Sequence, residues 1–253
     1  MKKTIMMTVL VLLLTVFSGC ASSSSNVLTI ATNSGFVPYE MTNTNNELEG
    51  FDIDFGNALA KELGYEKAEW KDMDFDAIIP QLTSSSVDIA IAGMSPDPAR
   101  LETSKYSVNY FVDNAYYILT LKDSGITSRK DLAGKIIGVQ TGVTQEKVAN
   151  ELAAELGATV DSRKDLSSIV QEILLGRIDV MIMEKTTVPS FAKEYPDKLT
   201  TFELDGITQD QINEGGRVVY MPKNSDLEAK INAAIEKLQA DGTIDAIAAK
   251  WFK

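Results

Sequence analysis

The chain has 253 residues, long enough to bury one large core or two modest ones. Its 24 Lys and Arg against 36 Asp and Glu leave a net charge of −12, which excludes the basic face that nucleic-acid phosphates require. There is no histidine and a single cysteine, so histidine-based acid–base catalysis, Ser-His-Asp triads, histidine metal sites, intrachain disulfides and thiolate clusters are all excluded.

Met1-Lys2-Lys3 is a basic start, and Ile5 to Phe17 is an apolar run broken only by threonines. That run is shorter than the roughly 20 apolar residues of a membrane span and suits the central region of an export signal. Phe17-Ser18-Gly19-Cys20 resembles the lipobox of bacterial lipoproteins, with Phe17 where Leu is usual. The resemblance implies a signal peptide over 1–19, a lipid (palmitate-bearing) on Cys20, and a polar tether over 20–26 through Ser22 to Ser25. The alternative is a signal peptide whose Cys20 carries no lipid. No later segment is long and apolar enough to span a membrane.

Val27 to Thr32 reads as a first strand, ending at Asn33 and a loop with Phe36, Pro38 and Tyr39. Asn43 to Asn46 is a turn cluster. Gly50-Phe51-Asp52-Ile53-Asp54 opens a helix to Leu63, stopped by Gly64. A strand near Ala68–Trp70, a helix near Ala77–Ser84 and a strand over Val87–Ala92 follow, a β-α-β-α-β order that builds a parallel sheet. Gly93-Met94-Ser95-Pro96-Asp97-Pro98-Ala99-Arg100 then leaves the third strand: glycine for close approach, prolines for stiffness, Asp97 as N-cap and Pro98 as first helical residue.

The pattern begins again after a strand at Tyr116–Leu121. Ile136–Gln140 is a strand, Thr141-Gly142-Val143-Thr144 leads into a helix over Gln145–Leu156, and Thr159-Val160 is a short strand. Leu166–Leu175 is a helix closed by Gly176, and Ile178–Met183 is a buried strand ending at Glu184. Val87-Asp88-Ile89-Ala90-Ile91 and Ile178-Asp179-Val180-Met181-Ile182 share one pattern, which points to two similar α/β lobes. A strand over Arg217–Met221 and helices through Leu227–Leu238 and Thr243–Phe252 close the chain. A chain returning to its first lobe crosses twice, and two extended crossings make a hinge.

In open α/β sheets ligands sit at the carboxyl ends of strands. Here those ends carry Asn33 with Phe36, then Gly93, Met94, Ser95 and Arg100, then Thr141 to Thr144, then Glu184. Facing one another, they would grip a zwitterion. Arg100 and the Val143–Thr144 amides take an α-carboxylate, Glu184 an α-ammonium, and Phe36 and Phe51 sandwich the side chain. Taken singly each has a plainer role: Arg100 a surface arginine, Glu184 a solvated carboxylate beside Lys185, Thr144 a helix cap, Phe36 and Phe51 core. Arg129, Arg163, Arg177 and Arg217 all fall away from the predicted cleft, so a second cation for an acidic side chain is missing. Asn33 suits a neutral polar tip. The order is therefore neutral polar first, arginine or lysine a close second, and acidic last, with Glu40 beyond Tyr39 serving a basic side chain if its loop points inward.

With these residues in place, the chain resembles the family-3 extracytoplasmic solute-binding proteins of ABC importers, which bind polar amino acids. The resemblance rests on Gly50 to Asp54, Phe75 to Leu82, Gly93 to Arg100, Gly176 to Asp179 and Asp241 to Thr243. It implies an α/β, two-lobed periplasmic-binding-protein-like fold of type II. Each lobe has a central, mostly parallel sheet with flanking helices, and two crossover strands form the hinge. Lobe 1 is implied over 27–113 and 213–253, lobe 2 over 114–212, with crossovers near Asp113 and Asn213. Carried over by position, Arg100 is the carboxylate-binding arginine, with Ser95 beside it and Gly93 giving backbone, and Thr144 is the threonine of the second-lobe loop. Glu184 stands where Asp is usual for the α-ammonium, and Asn33 where many members have Asp. The implied partners are an amino acid, neutral polar or basic, an ABC permease, and the membrane through lipid on Cys20. No cofactor, catalytic residue or metal is implied, and the state expected is monomeric. Two rivals share the resemblance: a cyclohexadienyl dehydratase-like enzyme with Glu184 as general acid, and a sensing protein acting with a separate membrane partner.

Overall fold

A computed structural model describes residues 26–112, 115–207 and 216–252. The signal, Cys20, the serine tether and the two expected crossover points at Asp113 and Asn213 lie outside the described residues.

Two five-stranded sheets organise the chain. The first contains β1 (Val27–Thr32), β4 (Lys67–Asp72), β5 (Ile89–Ala90), β6 (Ser104–Tyr106) and β14 (Tyr220–Pro222). Its strand order is β4-β1-β5-β14-β6. The second contains β8 (Tyr116–Leu121), β9 (Ile136–Gln140), β10 (Thr159–Arg163), β11 (Val180–Glu184) and β12 (Leu199–Glu203), in the order β10-β9-β11-β8-β12. Position by position the two sheets match. Three parallel strands are followed by one antiparallel strand, β14 in the first and β8 in the second.

The shared Val/Ile-Asp-apolar pattern has a structural cause. Asp88 accepts a hydrogen bond from the backbone N–H of Thr29 at 2.8 Å and returns its own N–H to the Thr29 carbonyl at 3.0 Å. Asp179 does the same with Ile136, at 2.8 and 3.0 Å. Each aspartate ties the entry to the middle strand of its sheet, β5 or β11, to the neighbouring strand, β1 or β9.

Alternating side chains divide each sheet into two apolar faces. On the first sheet, Leu28, Ile30, Ile89 and Met221 pack with Phe55 and Leu59 of α1 (Phe51–Glu62). Ile231 and Ile235 of α6 (Glu228–Ala240) and Ile244 of α7 (Thr243–Trp251) complete that layer. Ala31, Ala90 and Tyr220 meet Ile78 and Leu82 of α2 (Ile78–Thr83) on the other face. On the second sheet, Ile137, Val139 and Val180 meet Val148 and Leu152 of α3 (Thr144–Leu156). Met181 and Leu119 meet Ile169 and Ile173 of α4 (Leu166–Leu174) and Phe191 of α5 (Val188–Glu194).

Two differences from the sequence reading matter for the site. The strand expected over Arg217–Met221 is two strands. β13 (Gly216–Arg217) pairs antiparallel with β7 (Phe111–Val112), and the chain then turns into the first sheet as β14. Short polar strands such as β6 and β12 also escape the apolar patterns, because only their pairing makes them strands. A hairpin of β2 (Met41–Thr42) and β3 (Leu48–Glu49) brackets the expected turn at Asn43–Asn46.

Candidate functional site

The carboxyl ends of β1, β5, β9 and β11 face one another across a cleft. The space between them, about 490 Å³ including its mouth, is lined by Asn33, Phe36, Gly93, Met94, Ser95, Arg100, Val143, Thr144 and Glu184 of the expected set. Glu40, Phe75, Gln140, Gln145, Leu166 and Met183 also line it.

The loop after β5 is built as its residues dictate. Asp97 caps a short 3₁₀ turn (Pro98–Glu102), its side chain accepting the N–H of Ala99, with Pro98 in the first turn. This turn holds Arg100, whose guanidinium lies 5.5 Å from the ring centroid of Phe75 and 5.4 Å from that of Tyr220. Nη2 of Arg100 donates to the Gly142 carbonyl at 2.7 Å, spanning the cleft, and Nε sits 3.4 Å from Asp97. The fork is thereby aimed along the edge where the Val143–Thr144 segment begins α3. Gly93 has φ +57°, and a Cβ there would lie 2.3 Å from the ring of Phe36, so the ring rests directly on glycine backbone.

Phe36 stacks on Tyr39, centroids 5.0 Å apart and planes 11° from parallel. Phe51 is not its partner. As the first residue of α1 it turns into the core, against Tyr39, Phe111 and Phe252, so the expected Phe36–Phe51 sandwich is replaced by Phe36–Tyr39. Asn33 lines the cleft but uses both ends of its amide: Nδ2 donates to the Met73 carbonyl at 2.8 Å, and Oδ1 accepts from Gln140 at 2.9 Å across the cleft.

Glu184 is buried, and its Oε1 lies 2.6 Å from Nη2 of Arg217. Gln145 donates to the same oxygen. Arg217 is fully buried; its Nη1 donates to Ser95 Oγ at 2.6 Å, and its guanidinium faces the rings of Tyr39 and Phe36 at 5.1 and 5.9 Å. This corrects the expectation that Arg217 falls away from the cleft. The strand that would have carried it past the site breaks immediately after it, and the break depends on pairing with β7.

Beneath Phe36 lies an acidic pair. Glu40 is turned inward, fully buried, and lines the cleft. Its carboxyl rests against that of Asp52, and neither of its oxygens has another hydrogen-bond partner among the described residues. Burial first, and then the Asp52 charge, push the Glu40 carboxyl well above the usual range. Burial also raises Asp52 to about 6, although the Gly93 N–H at 2.6 Å and the Tyr110 hydroxyl at 2.9 Å both pull it down. Each carboxyl therefore disfavours ionisation of the other.

Further direct contacts join the two walls: Tyr39 with Thr186 at 2.9 Å between hydroxyls, and Lys164 with Asp74 at 2.9 Å. Among the residues missed from the sequence, Gln140 and Gln145 flank the predicted β9–α3 loop and Asp52 lies in the Gly50–Asp54 motif. Their positions were legible; their inward direction was not. No group of three or more metal-ligating side chains occurs among the described residues, and no described helix is long and apolar enough to cross a membrane.

Comparison with known proteins bears on this geometry. The model of the bacterial extracellular solute-binding proteins, family 3, matches residues 28–253. The arginine-binding extracellular protein ArtP of Bacillus subtilis is 35% identical over 260 residues, covering 100% of this chain and 98% of the relative. An ancestral arginine-binding protein bound to arginine superposes with a TM-score of 0.81 at 36% identity, covering 90% of this chain and 99% of that one. The substrate-binding protein of an amino-acid ABC transporter gives 0.80 at 33% identity, with coverage of 89% and 99%.

Proposed function

The chain belongs to the bacterial extracellular solute-binding proteins, family 3, and from that premise we propose that it captures arginine for an ABC importer. The coarser statement follows from the relatives: this is an extracytoplasmic amino-acid-binding subunit of an ABC transporter. The observation that favours a basic side chain is the inward-facing Glu40 beside Asp52. The relatives described above that bind arginine support the same ordering. A basic ligand therefore moves ahead of the neutral polar one that Asn33 alone suggested.

In this reading the α-carboxylate meets Arg100, Ser95 and the Val143–Thr144 amides at the start of α3. The α-ammonium meets Glu184 with the Gly93–Met94 backbone, and the side chain runs over Phe36 past Asn33 toward Glu40. Contacts come from both walls, so a ligand stabilises the form in which the walls meet. In this reading the chain hinges near residues 113 and 213, and the pairing of β7 with β13 supports it. The protein acts as a binder and a monomer, not an enzyme. Glu184 is committed to Arg217 and Gln145, an arrangement for holding charge rather than delivering a proton. Lipid on Cys20 anchors it outside the cell membrane, and Cys20→Ala should move it from the membrane to the soluble fraction.

A thermal-shift screen of refolded, ligand-stripped protein against the common amino acids tests the ligand. Arginine should give the largest concentration-dependent rise. A larger rise with glutamate or aspartate would overturn the assignment.

A further inference from the structure

Among the described residues Glu40 lines the cleft with no cationic side chain at contact distance, and Arg217 is drawn instead to Glu184. The groups facing it come from several elements. Asp52 lies on α1, Tyr110 just ahead of β7, Arg217 on β13 and Asp72 at the end of β4, with the Gly93 N–H committed to Asp52.

Counting charge in this closed space is informative because an unbalanced buried charge is expensive. Arg100 and Arg217 supply two positive charges. Glu184 and, with one proton held between them, the Glu40–Asp52 pair supply two negative ones, while Asp97 beside Arg100 is partly solvated and stands outside this count. An amino acid with a neutral side chain leaves the balance unchanged. One with a cationic side chain adds a positive charge, and loss of the shared proton to solvent restores neutrality.

Resting on the arginine reading above, we propose that Glu40 is the specificity-determining residue: it takes the distal cation of a basic amino acid and releases a proton as it does so. After release the pairs are carboxylate with Arg100, ammonium with Glu184, distal cation with Glu40, and Arg217 with Asp52 and Glu184 together. Burial and then the neighbouring Asp52 favour the protonated form of Glu40 until such a cation arrives. Discrimination between arginine and an uncharged analogue of similar polarity, such as glutamine, therefore depends on pH.

Calorimetric titration with arginine and with glutamine, each in phosphate and in Tris near pH 7, reads the proton directly, because the two buffers differ in protonation enthalpy. Arginine should release about one proton per ligand and glutamine none, and arginine affinity should rise by up to about tenfold per pH unit on the acid side. Glu40→Gln should weaken arginine by about 30-fold or more while leaving glutamine within a few-fold, which also reports an intact cleft. Arginine binding with no proton release, or with unchanged affinity in Glu40→Gln, overturns this proposal and leaves the arginine reading standing. A native protein that binds no arginine overturns both.

Discussion

The two sheets are near copies in topology, yet their cleft faces share almost nothing. Asp88 and Asp179 make the same pair of backbone hydrogen bonds to β1 and β9, the equivalent strands of the two sheets. At the far end of the strands they precede, β5 leads to a rigid cation, Arg100, and β11 to a buried anion, Glu184. The Glu40–Asp52 pair lies beside the first sheet, and among the described residues no counterpart lines the cleft from the second. What is repeated holds strands together, and what differs grips the ligand. Opposite charges on opposite walls are what a zwitterion requires, and two identical walls could not supply them.

Substitutions on the unrepeated side should have the larger effects. Arg217→Met removes the partner of a buried carboxylate and should destabilise the protein by about 3–5 kcal/mol. Urea unfolding measures this, and a loss below 1 kcal/mol would mean that Glu184 finds another partner. Arg100→Ala should cost roughly 2–5 kcal/mol of ligand binding, about 30- to several-thousand-fold in affinity, while unfolding stays cooperative. Arg100→Lys should restore only part of it, since an ammonium lacks the planar fork.

The acidic pair beside the first sheet gives that part of the molecule a pH signature. Asp52 has a folded-state value of about 6 against 3.8 unfolded. A raised carboxyl contributes stability that is fully present below the unfolded value and is lost as pH rises through the folded one. Over the window from about 4 to 6 that loss is roughly 2–3 kcal/mol. Glu40→Gln removes a carboxyl that burial and Asp52 hold toward its protonated form in the folded state and that ionises freely in the unfolded one, so the variant should gain on the native protein as pH rises from 4 to 7 in urea unfolding. A constant difference across that range would show that folding does not raise the Glu40 carboxyl.

The repeated side predicts a smaller, symmetric effect. Asp88→Ala and Asp179→Ala should each cost about 1 kcal/mol, because both carboxylates are partly solvated. Ligand affinity should stay within a few-fold in both variants. A selective loss of affinity in one would break the division between strand-holding and ligand-holding residues.

This division also explains what the sequence made legible. The aspartate repeat, the apolar strands and the Gly93–Arg100 loop are local patterns, and each was visible as a run of residue types. Arg100 could be placed because its cap and prolines fix a turn without help from the rest of the chain. Arg217 could not, since its strand ends only where β7 lets go of it. Phe51 was misassigned for a related reason. It begins α1, and the aromatic layer formed with Tyr39, Phe111 and Phe252 is assembled from segments up to 200 residues apart. Glu40 was conditional on a loop direction, which the packing of Tyr39 under Phe36 decides.

The most direct test is calorimetry of the native protein with three ligands: arginine, agmatine, which lacks the α-carboxylate, and 5-guanidinopentanoate, which lacks the α-ammonium. Each truncation unpairs one wall. Arginine should bind tightly, and both analogues should lose about 30-fold or more, because Arg100 or Glu184 is left facing no partner. Either analogue binding within a few-fold of arginine would contradict a cleft that holds an amino acid by opposite charges on its two walls.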